Sequence, residues 1–138
     1  MRTLGMDLGT KTLGLAISDK MGIIAQPYKL IRFKDYSEAV KEVVKIIEKE
    51  KVEALVLGLP KNMNNSLGFA SERSLNFKKL LENATNMKVE LIDERLSTME
   101  AEKILISADL SRKNRKEHID NTSAAIILDT YLRREEKK

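Results

Sequence analysis

Apolar and polar positions change period several times along this chain. Arg2 to Leu8 is an apolar run around a single acid, Asp7, and Thr12 to Ser18 is a second apolar run. Only Gly9, Thr10 and Lys11 separate them, a connection so short that it implies an antiparallel hairpin. Ile23 to Ile31 predicts a third strand. Gly22 precedes it, and Pro27 marks it as an edge or bulged strand, because proline has no N–H to give a ladder. From Tyr36 the period becomes helical: Tyr36, Val40, Val43, Val44 and Ile47 recur among Lys and Glu, predicting an amphipathic helix over about 36–50. "VEALVLGL", Val52 to Leu59, is continuously apolar, which suits a strand covered on both faces.

"PKNMNNSLG" is a loop by composition. Phe77, Leu80, Leu81 and Ala84 form a second helical stripe, and "KVELID", Lys88 to Asp93, is a short strand. Ser97 begins a helix with Ala101, Ile104, Leu105 and Ala108 on one face, and Ser97 with Glu100 in "STME" makes a capping box. "DLSRKNRKE" is polar and basic and reads as a loop. A last helix carries Ala124, Ile127, Leu128 and Tyr131. The order β-β-β-α-β-α-β-α-α predicts an α/β fold: a mixed five-stranded sheet, three antiparallel strands then two parallel, with helices on both faces. No repeat or linker interrupts residues 1–138, so one domain is expected.

Composition narrows the chemistry. With 138 residues, 42% of them hydrophobic, the chain can bury a core and does not belong with disordered sequences. The absence of cysteine excludes disulfides and thiolate metal sites, and a single histidine, His118, excludes a His-rich one. No apolar run approaches the ~20 residues of a membrane span, and no leader precedes the first strand, so a soluble cytoplasmic protein is expected. The net charge of +4 gathers in "RKNRKEH", Arg112 to His118, and in the tail "RREEKK". Such clusters either contact a nucleic-acid backbone or are simply solvated. Aromatics, at 4%, are too few for a base-stacking platform.

Some acids stand where structure alone does not demand them. Asp7 ends the first strand, Asp93 and Glu94 end the fifth, and Asp120 heads the apolar stripe that starts at Ala124. An ionised group facing a core is costly unless it is paired or bound to a cation. If strands one and five are neighbours, these carboxylates converge, and oxygen ligands of that kind suit hard divalent ions. Two such ions can activate a water and stabilise the leaving oxygen in phosphodiester cleavage. Each acid also has a plainer reading. Asp7 could open the hairpin turn, Asp120 could be a helix N-cap, and Asp19, before Lys-Met-Gly, reads as a turn residue.

Four ordered motifs tie the acids together: "GMDLGTKTLGLAISD" at Gly5–Asp19, "LGLPKNMNNSLG" at Leu57–Gly68, "IDERLST" at Ile92–Thr98 and "HIDNTSAAIILDTYL" at His118–Leu132. Through them the chain resembles, nearly end to end, the YqgF family of pre-16S rRNA nucleases and Holliday junction resolvase-like proteins. The resemblance implies an RNase H-like fold and a nuclease site using Mg²⁺ or Mn²⁺. By motif, Asp7, Glu94 and Asp120 would be the catalytic, metal-holding acids, with Asp93 the other candidate for the second position. Arg95 would sit near the substrate phosphate, joined by Lys11, by Asn62 and Ser66 of the loop, and by Arg112, Lys113, Arg115 and Lys116. The implied partner is nucleic acid: the 5′ end of pre-16S ribosomal RNA, within a pre-ribosomal particle, or branched DNA. Two departures stand out. Asn64-Asn65 replaces the Asp-Gly of many members, and Thr12 replaces an Arg.

Two other readings compete. "DLGTKTLG" also resembles the phosphate-binding hairpin of actin-like and sugar-kinase ATPases. Those proteins close two lobes on the nucleotide, and no second glycine-rich phosphate loop follows here. A ribosome-assembly factor that binds RNA without cleaving it would use the same basic segment. It would have no need of acids facing RNA, since these repel phosphate unless a cation bridges them.

Overall fold

The computed structural model describes residues 1–59, 69–93 and 112–136, and its account of side chains excludes 69–71, 93, 112–122 and 136. Five strands form one sheet: β1 (Thr3–Leu8), β2 (Thr12–Ser18), β3 (Ala25–Arg32), β4 (Ala54–Leu59) and β5 (Val89–Asp93). The spatial order is β3-β2-β1-β4-β5. The first three are antiparallel neighbours, and β4 runs parallel to both β1 and β5. The mixed sheet therefore has the expected pairing, but β4 lies between β1 and β5, so the first and fifth strands are not neighbours.

Pro27 has both consequences anticipated for it. β3 is an edge strand, and its register against β2 slips from Leu15↔Lys29 to Ala16↔Pro27, leaving Tyr28 as the extra residue of a bulge. The strand starts at Ala25, not Ile23. The preceding Ile23 and Ile24 are exposed, because their N–H groups turn back onto Asp19.

Helix α1 (Tyr36–Glu50) has the predicted bounds. Asp35 caps it, its Oδ1 accepting from the Glu38 N–H at 2.9 Å, and Lys51 ends it in the left-handed region at φ 56°. Helix α2 (Phe69–Thr85) departs from the predicted stripe. Phe77 and Leu81 are buried, but Leu80 is 43% exposed and Ala84 is exposed as well. The inward face is Ser74–Phe77–Leu81, a spacing of three and four. One large aromatic buried in full is worth roughly 1.5–3 kcal/mol, so Phe77 sets the rotation of the helix. Glu82 then ties α2 to the sheet by accepting from Val89 N–H at 3.0 Å, and it pairs with Lys78 of its own helix at 3.1 Å.

The last helix, α3 (Arg112–Glu136), is 25 residues long and corrects two expectations. The basic stretch Arg112–Lys116 is not a loop but the start of this helix. Arg, Lys and Glu are good helix formers, and the apolar period misses them because they are charged. Asp120 is consequently not an N-cap, since two helical turns precede it. The helix predicted from Ser97, with its capping box, lies outside the described residues.

The sheet separates two cores. Leu4, Met6, Leu13, Leu15, Leu55 and Leu57 pack beneath α1 and α2, while Ala16, Val56 and Ile92 pack beneath Ala124, Ile127, Leu128 and Tyr131 of α3. β4 is covered on both sides, as its unbroken apolar run anticipated.

Candidate active site at the strand ends

Alternation along β1 decides where Asp7 points. Leu4 and Met6 belong to the core under α1 and α2, so Gly5 and Asp7 face α3. Asp7 is not in the turn. It pairs with Gly14 inside the ladder, and the turn closes further on, where Gly9 N–H donates to Thr12 O at 2.7 Å. The turn-forming reading of Asp7 therefore fails.

The neighbours of Asp7 on its own row are small. Gly14 lies opposite on β2. On the other side the β1–β4 ladder runs through Met6↔Leu57, so its next step sets Gly58 beside Asp7, and Gly58 pairs in turn with Ile92 of β5. One row back, Gly5 lies between Ala16 and Val56, and these side chains join the core under α3. On β1, β2 and β4 the apolar packing under α3 thus stops one row short of Asp7, resuming on that row only at Ile92 of β5, and the half-buried carboxylate stands between two glycines. Among the described residues it has no hydrogen-bond or ion-pair partner.

Helix α3 approaches this row closely because Gly5 permits it. A Cβ placed on Gly5 would lie 2.7 Å from Leu128 Cβ and 3.0 Å from the Ala124 carbonyl oxygen. The far end of α3, at Tyr131 and Leu132, lines a depression with Met1 and Thr3, so the helix runs opposite to β1. Two residues forward along the strand advance roughly 6.6 Å, and four residues back along the helix cover about 6 Å. Asp7 is therefore level with the helical turn from 124 back to 120, and position 120 is on the stripe that Ala124 continues.

On the fifth strand, position 93 has the parity of Val89 and Leu91, which pack on the α1–α2 side, whereas Ile92 packs under α3. Glu94, Arg95, Asn62 and Ser66 lie outside the described residues, and Asp120, Arg112, Lys113, Arg115 and Lys116 are described only as positions in α3. Among the described residues no three His, Cys, Asp or Glu side chains gather as a metal site. The one described acid on the α3 side of this edge, Asp7, is an oxygen donor of the kind hard cations prefer, and it stands between two glycines.

Lys11 is exposed at the hairpin tip, its Nζ 3.4 Å from the Lys34 carbonyl oxygen, a long contact that leaves its charge available. Arg73, which the apolar pattern could not single out, reaches from α2 to the same tip and donates to Thr10 Oγ1 at 3.0 Å. Asp19, at the other end of β2, is a turn residue as expected. Its Oδ1 accepts from Ile23 and Ile24 N–H at 2.7 and 3.0 Å, and these bonds, Ile24's first, hold its carboxyl below the ordinary value. No helix among the described residues is long and apolar enough to cross a membrane.

Comparison with known proteins places this geometry. The family model described as "RuvX: Holliday junction resolvase" matches residues 1–134. A Bacillus pumilus protein named "Putative pre-16S rRNA nuclease" is 50% identical over 134 residues, covering 96% of this chain and 97% of its own. A Clostridium acetobutylicum protein of the same name is 45% identical over 132 residues, covering 96% and 98%. Among solved structures, T. thermophilus RuvC in complex with a Holliday junction substrate superposes with a TM-score of 0.64 at 14% identity, covering 99% of this chain and 96% of that one. At such low identity the likeness is one of fold: the sheet is RNase H-like.

Proposed function

The chain belongs to the RuvX family, and from that membership and the setting of Asp7 we propose that it is a metal-dependent nuclease. In this reading residues 1–138 form one nuclease domain that hydrolyses phosphodiester bonds at the 5′ end of pre-16S ribosomal RNA, in the cytoplasm. The observation that carries it is Asp7: a strand-end carboxylate between two glycines, unpartnered among the described residues, on the face and at the level where α3 carries Asp120.

Asp7, Glu94 and Asp120 would hold Mg²⁺ or Mn²⁺. Such an ion supplies the Lewis acidity that activates a water and stabilises the leaving oxygen. We favour Glu94 over Asp93, because position 93 has the parity of Val89 and Leu91, which pack on the α1–α2 side. Lys11, Arg95, Asn62 and Ser66 position the strand. Arg112, Lys113, Arg115 and Lys116 precede Asp120 in the first two turns of α3. Their role is to neutralise substrate phosphates.

Branched DNA is the second reading, favoured by the description of the family itself. A direct test offers the purified protein, with Mn²⁺, a 16S precursor 5′ leader and a four-way DNA junction side by side, with Asp7→Asn as control. Cleavage of the leader alone is expected, and its loss in the variant. Resolution of the junction alone would transfer the activity to DNA. Cleavage unchanged by Asp7→Asn would remove Asp7 from the site, and RNA binding without any cleavage would leave an assembly factor.

A further inference from the structure

The hairpin tip gathers more positive charge than Lys11 alone. Arg32 ends β3 opposite Thr12, the residue after Lys11, and Phe33 N–H donates to Lys11 O at 3.0 Å, which brings Lys34 alongside. Arg73 arrives from α2 and bonds Thr10. Arg32, Lys34, Lys11 and Arg73 therefore share one edge of the sheet, the edge at which Asp7 ends its strand. None of them forms an ion pair among the described residues. Asp35, next to Lys34, has its carboxylate engaged in capping α1, and Glu72, next to Arg73, is exposed.

Arg73 is the unusual member. Its side chain is half-buried: the terminal nitrogen donates to the Thr10 hydroxyl in an exposed contact, its one described acceptor, while Nε is buried with no partner among the described residues. A cation removed from water without a counter-charge is unfavourable, and a planar guanidinium is suited to the two oxygens of a phosphodiester. The aromatic residues near this edge do not offer a face to bases. Phe33, Tyr36 and Phe77 stack on one another at 5.7 and 5.9 Å, inside the core or against it. The chemistry at this edge is charge without stacking.

We propose that Arg32, Lys34, Lys11 and Arg73 form a track for the nucleic-acid backbone around the hairpin end of the sheet, beside the acid site, with Arg73 as its anchor. The track binds phosphates irrespective of base sequence. It rests on the nuclease reading for its substrate, and extends it from cleavage to how the strand is held.

The test is binding, not cleavage. A fluorescent 16S precursor 5′ leader is titrated with full-length Asp7→Asn protein in EDTA across a salt series. In this background Arg73→Gln should weaken binding about fivefold and lower the slope of log K against log salt by roughly 0.7–0.9, with a similar loss for each further cation removed. Arg73→Lys should restore the slope. Thr10→Val, which removes the described hydrogen bond and leaves the charge, should keep both affinity and slope. An unchanged slope in a folded Arg73→Gln variant, or equal losses in Arg73→Gln and Thr10→Val, would overturn the track and make Arg73 a brace for the turn. Reduced slopes, together with no cleavage by the parent protein in Mn²⁺, would uphold the track and overturn the nuclease reading. Normal cleavage with unaltered slopes would do the reverse.

Discussion

Asp7 and Asp19 lie at opposite ends of the β1–β2 pair and carry the same side chain in opposite circumstances. Asp19 accepts two backbone N–H groups at 2.7 and 3.0 Å, closes the connection to β3, and is held in its charged form by those bonds. Asp7 lies inside the ladder between two glycines, has no partner among the described residues, and closes nothing. A carboxylate already satisfied by its own backbone has little left to give a ligand. One that is half-buried and unpaired lacks a positive partner, and a divalent cation meets that need. The contrast shows that exposure and residue type do not separate the two acids, but hydrogen-bond accounting does.

The comparison can be broken most decisively at the chemistry. Asp7→Asn should lower the cleavage rate by on the order of 10²–10³, the range for losing one preorganised electrostatic partner, with an unaltered melting temperature. Asp19→Asn should cleave as the parent does, and equal losses in the two variants would dissolve the distinction. EDTA should abolish parental cleavage, with recovery on adding Mn²⁺, read on the same RNA gel.

Strand parity sharpens it next. Glu94→Gln should approach the loss seen in Asp7→Asn, while Asp93→Asn should stay close to parental rates. The opposite ranking would mean that β5 presents position 93 to the site.

A smaller effect is expected at Gly5. A methyl there would press on Leu128 Cβ, so Gly5→Ala should destabilise the fold by about 1–3 kcal/mol, measured by urea unfolding. Cleavage should fall with it, because α3 moves away from the row that holds Asp7. Full activity with lowered stability would separate the helix from the site.

The smallest effect belongs to Asp19 and pH. Its carboxyl is held below the ordinary value of 3.8, so the folded state favours the charged form. That contribution is complete above the ordinary value and is lost as pH falls through the lowered one. Asp19→Asn should flatten stability against pH below about pH 4 and leave the neutral region unchanged.

The strands were largely legible because apolar residues must be buried and their period follows the backbone. Thr12–Ser18 and the helix over 36–50 have the predicted bounds, and Pro27 announced both an edge and a bulge. Three features escaped that signal. Leu80 reads as core but is exposed, since Phe77 sets the rotation of α2. The Arg112–Lys116 segment reads as a loop, since helical turns made of charged residues show no apolar period. Arg73 was invisible, because its partner Thr10 is 63 residues away and neither residue is unusual in sequence.

By itself the sequence determined which residues are apolar, where the period changes, and that acids fall at strand ends in an otherwise basic chain. Those properties are local, set by side-chain chemistry and the backbone repeat. Only the tertiary structure decided that β4 separates β1 from β5, that Asp7 shares its face with α3, and that glycines on two other strands flank it. The place of β4 and the approach of α3 depend on contacts between segments far apart in the chain, which no local pattern encodes, whereas the short turn alone implied that β1 and β2 pair. The opening motif "MDLGTKTLGLAISD" therefore contained both aspartates, and the sheet register told them apart.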